Sequence, residues 1–339
     1  MEEKTEQLVK EAKKVYEQQF GYGAWFERAL FYSWACQQEH CCTYCYMSTL
    51  PKEKRTNERV RSFSSLLAET LLCRECGWIF GFLAGGVNVF SDEKVYDLLE
   101  KINAILGYKV WINIGNLNAE QMRTFKPFIR GVIGTIEVMD DELHGKVCPS
   151  KPKSAVESMF QDARHEGLER GMTLIVGLGE PEEDIEKASA FIERHGVTKV
   201  HLYGLNPQKG TVFEDVSPPS AEYQARWIAQ LRIRHPEIDI ECGIWKDRVD
   251  RVGLLLEAGA NSVSKFPILR SFGTPEAHEI ESQTKDAGRR FKGTMTDLPM
   301  VDWEHKIEEL PFNDSLKQEI AKRLAIYLNK MKKTMTQSS

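Results

Sequence analysis

Short apolar runs alternate with amphipathic helical patterns along most of this 339-residue chain, and the repeat is roughly 30 residues long. This alternation is typical of repeated βα units, in which helices connect the strands of a parallel sheet. The predicted strands span residues 29–35, 78–83, 108–114, 132–139, 172–178, 199–205, 238–243 and 261–266. Eight such units predict an α/β fold of the (β/α)8 TIM-barrel type, whose active site forms at the C-terminal ends of the strands.

Helical extensions are expected at both ends of the barrel. We expect a polar helical lead-in over residues 1–24, the barrel over 25–290 and a helical tail over 291–339. No apolar run reaches the roughly 18 residues that span a bilayer, and the first residues are too polar for a signal peptide. The sequence therefore predicts a cytoplasmic protein with no membrane partner. A net charge of −5 argues against nucleic acid as a partner and favours a small-molecule substrate.

Four thiols lie within ten residues, directly after the first predicted strand: Cys36, Cys41, Cys42 and Cys45. Thiols this dense in a reducing compartment are typical of metal ligands. The choice of Cys36, Cys42 and Cys45 gives the spacing C-x5-C-x2-C. Three thiolates on one short loop can hold an iron–sulfur cluster, and on a four-iron cluster they would leave one iron open to a substrate or cofactor.

A zinc site is the alternative, because Cys73 and Cys76 form a second C-x2-C pair that could join Cys42 and Cys45 in a four-thiolate site. Cys73 and Cys76 end an apolar helical segment that leads into the second predicted strand. We therefore expect this pair at the bottom of the barrel, opposite the cysteine loop, as structural thiols.

Two further candidate sites are a glycine pair directly after the second predicted strand and an acid within the fourth. The pair Gly85-Gly86 would let the backbone approach a ligand closely, although a turn is the simpler interpretation. Glu137 interrupts an apolar run, and burial of an acid without a partner would be costly. It either faces the barrel mouth, where it could accept hydrogen bonds from a ribose, or faces outward and pairs with a helix lysine.

The fifth and sixth strands end in glycine-containing segments that begin at Ile175 and Tyr203 and would also allow close ligand approach. Neither is a phosphate-binding fingerprint, so nucleotide di- and triphosphate chemistry has no support. His201 on the sixth strand is better explained as a core histidine than as a substrate contact. Lys265 and Arg270, near the end of the eighth strand, either hold a substrate carboxylate or lie on the rim of the barrel.

Together these motifs resemble the radical S-adenosylmethionine (SAM) superfamily, and within it the biotin synthase group. The resemblance spans roughly residues 25–290 and rests on the thiol triad, Gly85-Gly86, Glu137 and the segment Ile175-Val-Gly-Leu-Gly-Glu180. The usual loop of the superfamily is C-x3-C-x2-C, whereas this chain has Gln38 where that spacing requires cysteine. The C-x5-C-x2-C loop, with the segments after the fourth and sixth strands, resembles the HcgA subfamily, which is associated with making the iron-guanylylpyridinol cofactor of [Fe]-hydrogenase.

The resemblance implies two cofactors, a [4Fe-4S] cluster and SAM. It makes Cys36, Cys42 and Cys45 the cluster ligands, and the amino and carboxylate groups of SAM would chelate the fourth iron. The residues that it assigns to SAM are Gly85 and Gly86 for the amino group, Glu137 for the ribose, backbone at Tyr44, Ile175 and Tyr203 for the adenine, and Asn206 as a further contact.

The implied function is reductive cleavage of SAM to a 5′-deoxyadenosyl radical, which abstracts hydrogen from a small-molecule substrate in biosynthesis of the pyridinol part of the [Fe]-hydrogenase cofactor. The implied partner is a low-potential electron donor of the flavodoxin or ferredoxin type, and a homodimer is compatible with the resemblance. One alternative is another biosynthetic enzyme of the biotin synthase type. Another is a zinc-binding or iron–sulfur-binding barrel without catalysis.

Overall fold

Eight parallel strands form a closed barrel in the computed structural model, which describes residues 2–36, 42–49, 60–87 and 89–338. The strands follow one another around the barrel in chain order, and β1 closes it by pairing with both β2 and β8. The strands are β1 (Gly23–Phe31), β2 (Ile79–Ala84), β3 (Val110–Asn113), β4 (Ile129–Glu137), β5 (Glu169–Val176), β6 (Lys199–Gly204), β7 (Asp239–Gly243) and β8 (Ser262–Ser264). The predicted (β/α)8 fold is confirmed.

Helices connect the strands and cover the outside of the barrel. Those before β5 are α1 (Glu3–Phe20), α2 (Phe63–Glu75), α3 (Asp92–Leu106), α4 (Ala119–Phe125), α5 (Asp141–Val147) and α6 (Lys153–His165). Those after β5 are α7 (Asp184–His195), α8 (Ala221–Arg234), α9 (Val252–Glu257), α10 (Ile268–Ser271), α11 (Pro275–Asp286), α12 (Trp303–Glu308) and α13 (Asp314–Ser338). Several begin at a side-chain cap, as at Ser62 and Ser220, whose hydroxyls accept backbone N–H groups of the first turn.

The helical segments at both ends of the chain pack onto the barrel. Helix α1 lies against α8, and α13 lies against α2 and α10. A short strand, β9 (Arg290–Lys292), pairs in parallel with the start of β1 and was not predicted. The predicted boundaries at residues 24 and 290 stay predictions. Within the described residues, no helix is long and apolar enough to cross a membrane.

The prediction for the first strand was displaced along the chain. The apolar run 29–35 suggested the strand, but β1 is Gly23–Phe31 and includes Glu27 and Arg28. These charges break the apolar pattern, yet both have a partner in the fold: Glu27 binds Lys199 inside the barrel, and Arg28 binds Glu69 of α2. Pairing of charges that are distant in sequence therefore allows a strand that local hydrophobicity does not indicate.

Candidate active site

A cavity of about 510 Å³ opens at the C-terminal ends of the strands, as expected for this fold. Its size lies in the range of about 300–1,000 Å³ that is typical of small-molecule sites. Six of the residues predicted to bind SAM line it: Tyr44, Gly85, Glu137, Ile175, Tyr203 and Asn206. The fold thus brings together residues from the C-terminal ends of β2, β4, β5 and β6 and from the cysteine loop.

A smaller cavity of about 90 Å³ adjoins the large one, since Tyr44, Cys45, Gly85 and Lys151 line both. The three predicted ligands Cys36, Cys42 and Cys45 line the smaller cavity, together with both Gly85 and Gly86. Cys41 and Gln38 lie outside the described residues. The thiol triad and the glycine pair therefore face one space, directly next to the larger cavity.

The alternative zinc site is not assembled. Cys73 and Cys76 are buried thiols at the end of α2, on the N-terminal side of β2, which is the opposite end of the barrel from Cys42 and Cys45. Burial raises the pKa of Cys76 to about 12, so this thiol stays protonated. Across the described residues, no group of three His, Cys, Asp or Glu side chains is placed to hold a single metal ion.

Gly85 and Gly86 are required by close packing. A Cβ atom on Gly86 would lie 1.4 Å from the Ala35 carbonyl oxygen, and one on Gly85 would lie 2.2 Å from the Tyr32 ring. The Gly86 N–H donates to Ser33 Oγ at 3.0 Å, and its carbonyl accepts from the Tyr32 hydroxyl at 3.3 Å. The glycine pair thus holds the end of β2 against the segment that leads into Cys36. The Gly86 carbonyl retains a second lone pair for a ligand.

Glu137 ends β4 in a strained conformation, since its φ of 66° lies in the left-handed region and the β4–β5 register shifts at this point. A residue other than glycine in this region costs on the order of 1–3 kcal/mol, and such strain clusters at ligand sites. The buried carboxylate accepts hydrogen bonds from the Tyr44 hydroxyl at 2.8 Å and from Thr173 Oγ1 at 3.2 Å. Burial raises the pKa of Glu137 despite the nearby ammonium of Lys151. Glu137 therefore faces the cavity, and its ribose contact stays a prediction.

Lys151 borders both cavities and was missed by the sequence reasoning. Its ammonium lies 3.4 Å from Thr135 Oγ1. Its backbone carbonyl is held by His144, whose other ring nitrogen lies 2.8 Å from the Ile136 carbonyl oxygen. Burial alone would lower the pKa of Lys151, but the charges of Cys42 and Glu137 outweigh it and raise that pKa. Lys151 thus provides a stable positive charge between the thiols and the larger cavity.

Two of the predicted ligands differ in acidity, since burial raises the pKa of Cys45 to about 12 whereas the pKa of Cys42 is lowered. A hydrogen bond from Cys148 and the charge of Lys151 lower the pKa of Cys42 to about 5, against the effect of burial. Thiolate is the form that binds metal. The residues present therefore fit an iron–sulfur cluster, because the cavity combines three cysteines with a cation that stabilises thiolate.

The segment Ile175-Val-Gly-Leu-Gly-Glu180 is fixed by its own acid. The Glu180 carboxylate accepts the backbone N–H groups of Gly177 at 2.7 Å and Leu178 at 2.9 Å, and the Tyr223 hydroxyl donates to it at 3.1 Å. This capped turn fixes the end of β5 where Ile175 lines the cavity. Two residues after β6, Asn206 accepts a hydrogen bond from Arg248 through its side-chain oxygen, and within the described residues its amide has no acceptor.

His201 lies in the barrel core, whereas Lys265 lines the large cavity. His201 is fully buried, with its Nδ1 bonded to Glu241, so the interpretation as a core histidine is confirmed. Burial raises the pKa of Glu241 to about 7. Lys265 lines the large cavity, and its φ is 65°. Arg270 is exposed on α10 and does not line it.

Comparison with known proteins identifies the family. The chain is 31% identical over 346 residues to the uncharacterized protein MJ0597 of Methanocaldococcus jannaschii, which covers 97% of this chain and 96% of that one. It is 26% identical over 189 residues to a biotin synthase of Salinibacter ruber, covering 55% of this chain and 52% of that enzyme. No protein-family model matches the chain.

Two solved structures share the fold over nearly the whole chain. Methylornithine synthase (PylB) superposes with a TM-score of 0.67 at 19% identity, covering 96% of this chain and 88% of that one. HydG of Carboxydothermus hydrogenoformans superposes with a TM-score of 0.68 at 17% identity, covering 98% and 86%. These similarities show that the chain shares the barrel fold of both enzymes.

The chain therefore belongs to the radical SAM superfamily, in the family that it shares with MJ0597. The cofactors of this class of enzyme are a [4Fe-4S] cluster and SAM, as the sequence predicted.

Proposed function

We propose that Cys36, Cys42 and Cys45 hold the [4Fe-4S] cluster at the smaller cavity and that SAM binds between it and the larger cavity. The observation that carries this proposal is that the two cavities share lining residues. Cys45 and Gly85 line both cavities, so a ligand that spans the two would contact the cluster site and reach Glu137.

The chemistry of the lining matches the parts of SAM. Lys151, Gly85 and Gly86 line the smaller cavity. Lys151 would neutralise the carboxylate, and the carbonyls of Gly85 and Gly86 would accept the amino group. Glu137 would accept the ribose hydroxyls, since a carboxylate can take several hydrogen bonds beside the two that Tyr44 and Thr173 donate. The backbone of Tyr44, Ile175 and Tyr203 would contact the adenine, and the Asn206 amide could donate to it.

When bound, the cluster and SAM supply one-electron chemistry that yields methionine and a 5′-deoxyadenosyl radical able to abstract hydrogen from a small molecule. The side chains of this barrel orient the reactants and exclude water. Phe31, Phe82 and Tyr203 form an apolar wall of the larger cavity, which protects a reactive species from solvent. The electron would come from a low-potential flavodoxin-type or ferredoxin-type donor.

Anaerobic reconstitution tests the proposal. Reduced protein with four irons per chain should form 5′-deoxyadenosine slowly from SAM when dithionite is supplied, even without substrate. The matched control is the Glu137→Ala variant, which should retain its iron and form the product more slowly at low SAM concentration. Protein that binds both iron and SAM yet forms no 5′-deoxyadenosine with any reductant would contradict the radical mechanism.

We further propose that the substrate is a precursor of the pyridinol part of the [Fe]-hydrogenase cofactor. The support is the C-x5-C-x2-C loop together with the segment that carries Lys151, which also resembles the HcgA subfamily. Deletion of the gene in its host should cause loss of this cofactor and accumulation of a precursor. Unchanged cofactor content would favour another biosynthetic reaction of the biotin synthase type.

A further inference from the structure

Lys265 is a charged residue of the large cavity that the proposed SAM site does not use. In the described part of the chain, Glu137 and Lys265 are the residues other than glycine with a left-handed backbone. Both are charged and both line the large cavity. Glu137 has a proposed ligand in the ribose, whereas Lys265 follows β8 and lines only the larger cavity, away from the cysteines.

Aromatic rings surround the Lys265 ammonium. Its Nζ lies 4.4 Å from the ring centre of Tyr203, 5.3 Å from that of Phe82 and 5.5 Å from that of Phe31. Ring faces stabilise a cation without neutralising it. Burial lowers the pKa of Lys265, and the carboxylate that most opposes this shift is Glu241, whose Oε2 is bonded to His201 and Tyr203. Among described residues, no carboxylate forms an ion pair with Lys265.

A second cation, Arg28 of β1, lines the same cavity. Its guanidinium binds Glu69, but Glu69 also accepts from Arg61, so this group of three carries an excess positive charge. Within the described lining of the large cavity, the cations are Arg28, Lys151 and Lys265, and the carboxylate is Glu137. With Lys151 beside the thiols, Arg28 and Lys265 leave the rest of the cavity positively charged.

We infer that Lys265, assisted by Arg28, binds the carboxylate of a small and largely apolar substrate, whose body packs against Phe31 and Phe82. The inference rests on the proposed function, because SAM must occupy the part of the cavity next to the cysteines. The carboxylate of SAM is a different anion, and Lys265 does not line the cavity in which that group would meet the cluster. Lys265 therefore serves the substrate.

Benzoate and benzamide test this inference, since they have nearly the same shape and differ in charge. Their affinities would be measured by calorimetry on anaerobically reconstituted protein, with and without saturating SAM. The wild type should bind benzoate at least tenfold more tightly than benzamide. Lys265→Met should lose this preference, Lys265→Arg should retain most of it, and Arg28→Gln should reduce it severalfold. The affinity of Lys265→Met for SAM should stay within twofold of the wild-type value.

Three results would overturn the inference. These are equal affinity of the wild type for the two probes, a benzoate preference that survives in Lys265→Met, and loss of SAM binding in Lys265→Met, which would assign Lys265 to SAM. Lys265→Gly supplies a second variant that removes the charge and relieves the backbone, and it should also lose the preference. A chain that prefers benzoate through Lys265 but never binds SAM would refute the proposed function and retain the anion site.

Discussion

The two ends of the barrel treat buried charge differently. Toward the N-terminal ends of the strands, Lys199 donates to Glu27 at 2.7 Å and to Asp239 at 2.6 Å, and Ser262 also donates to Glu27, at 2.8 Å. At the mouth, Lys265 faces aromatic rings instead of a carboxylate of the described chain. The charges at the bottom form ion pairs with one another, whereas those at the mouth line a cavity.

Backbone strain is distributed in the same way. Glu137 and Lys265 are strained residues of the mouth, while Glu27, Lys199 and Asp239 lie in ordinary strand conformations. Backbone strain of this kind clusters where a ligand benefits from it. The bottom of the barrel therefore serves stability and the mouth serves binding, as is general for this architecture.

The largest expected effect separates thiols at the two ends. Cys42→Ala should lose the iron–sulfur cluster, because it removes one of three ligands, whereas Cys76→Ala should retain it as a buried thiol at the barrel bottom. Iron analysis and the visible spectrum of anaerobically reconstituted protein measure this. Cys41→Ala should keep its iron, and the opposite outcome for Cys41 and Cys42 would reverse the ligand assignment.

The next effect compares two lysines by stability. Lys199→Met would leave the buried Glu27 and the half-buried Asp239 without their cation, and loss of one partner of a buried ion pair costs about 3–5 kcal/mol. Lys265→Met removes no ion pair of the described chain and should change the free energy of unfolding by about 1 kcal/mol or less. Urea denaturation of both variants provides the comparison. If both variants lost the same free energy of unfolding, the lysines at the two ends of the barrel would contribute equally to stability, and the proposed difference would be wrong.

Glu137→Ala should weaken SAM binding by roughly ten- to a hundredfold, because charge-assisted hydrogen bonds contribute about 1.5–3 kcal/mol each. Iron content should be unchanged, since Glu137 does not line the cysteine cavity. Calorimetric titration with SAM measures the loss. Unaltered affinity would restrict Glu137 to its hydrogen bonds with Tyr44 and Thr173.

The smallest expected effect is the gain in stability when the backbone strain at Lys265 is relieved. Lys265→Gly should stabilise the fold by about 1 kcal/mol, because glycine adopts a φ of 65° without a steric cost. Glycine also increases the entropy of the unfolded chain, which opposes part of the gain. Thermal unfolding of the protein without cofactors measures the balance. A lower melting temperature would mean that the strain at Lys265 costs less than the entropy and the ring contacts that the substitution loses.

The sequence predicted the barrel and most of the cavity lining because both depend on local pattern. Apolar runs mark β2 to β8, and the glycines and Glu137 lie at strand ends, where parallel strands converge. The position of β1 was predicted wrongly because Glu27 and Arg28 find partners that are far away in sequence. No local signal indicates that Glu27 meets Lys199, 172 residues later.

Lys151 escaped prediction for a similar reason. In the segment Cys148-Pro-Ser-Lys151-Pro it resembles any loop lysine, and only the fold places its ammonium beside Cys42 and Glu137. The resemblance of this segment to the HcgA subfamily was the available signal. The position after the eighth predicted strand made both Lys265 and Arg270 candidates. The structure distinguishes them, because Lys265 lines the large cavity and Arg270 does not.

Electron paramagnetic resonance of the reduced protein tests the central claim most directly, because an open iron next to the large cavity must respond to SAM. We expect reduced wild-type protein to give the signal of a [4Fe-4S] cluster and this signal to change when SAM is added. In Glu137→Ala the same change should require roughly ten- to a hundredfold more SAM. A cluster signal that stays identical at saturating SAM would mean that all four irons have protein ligands, and it would contradict the account.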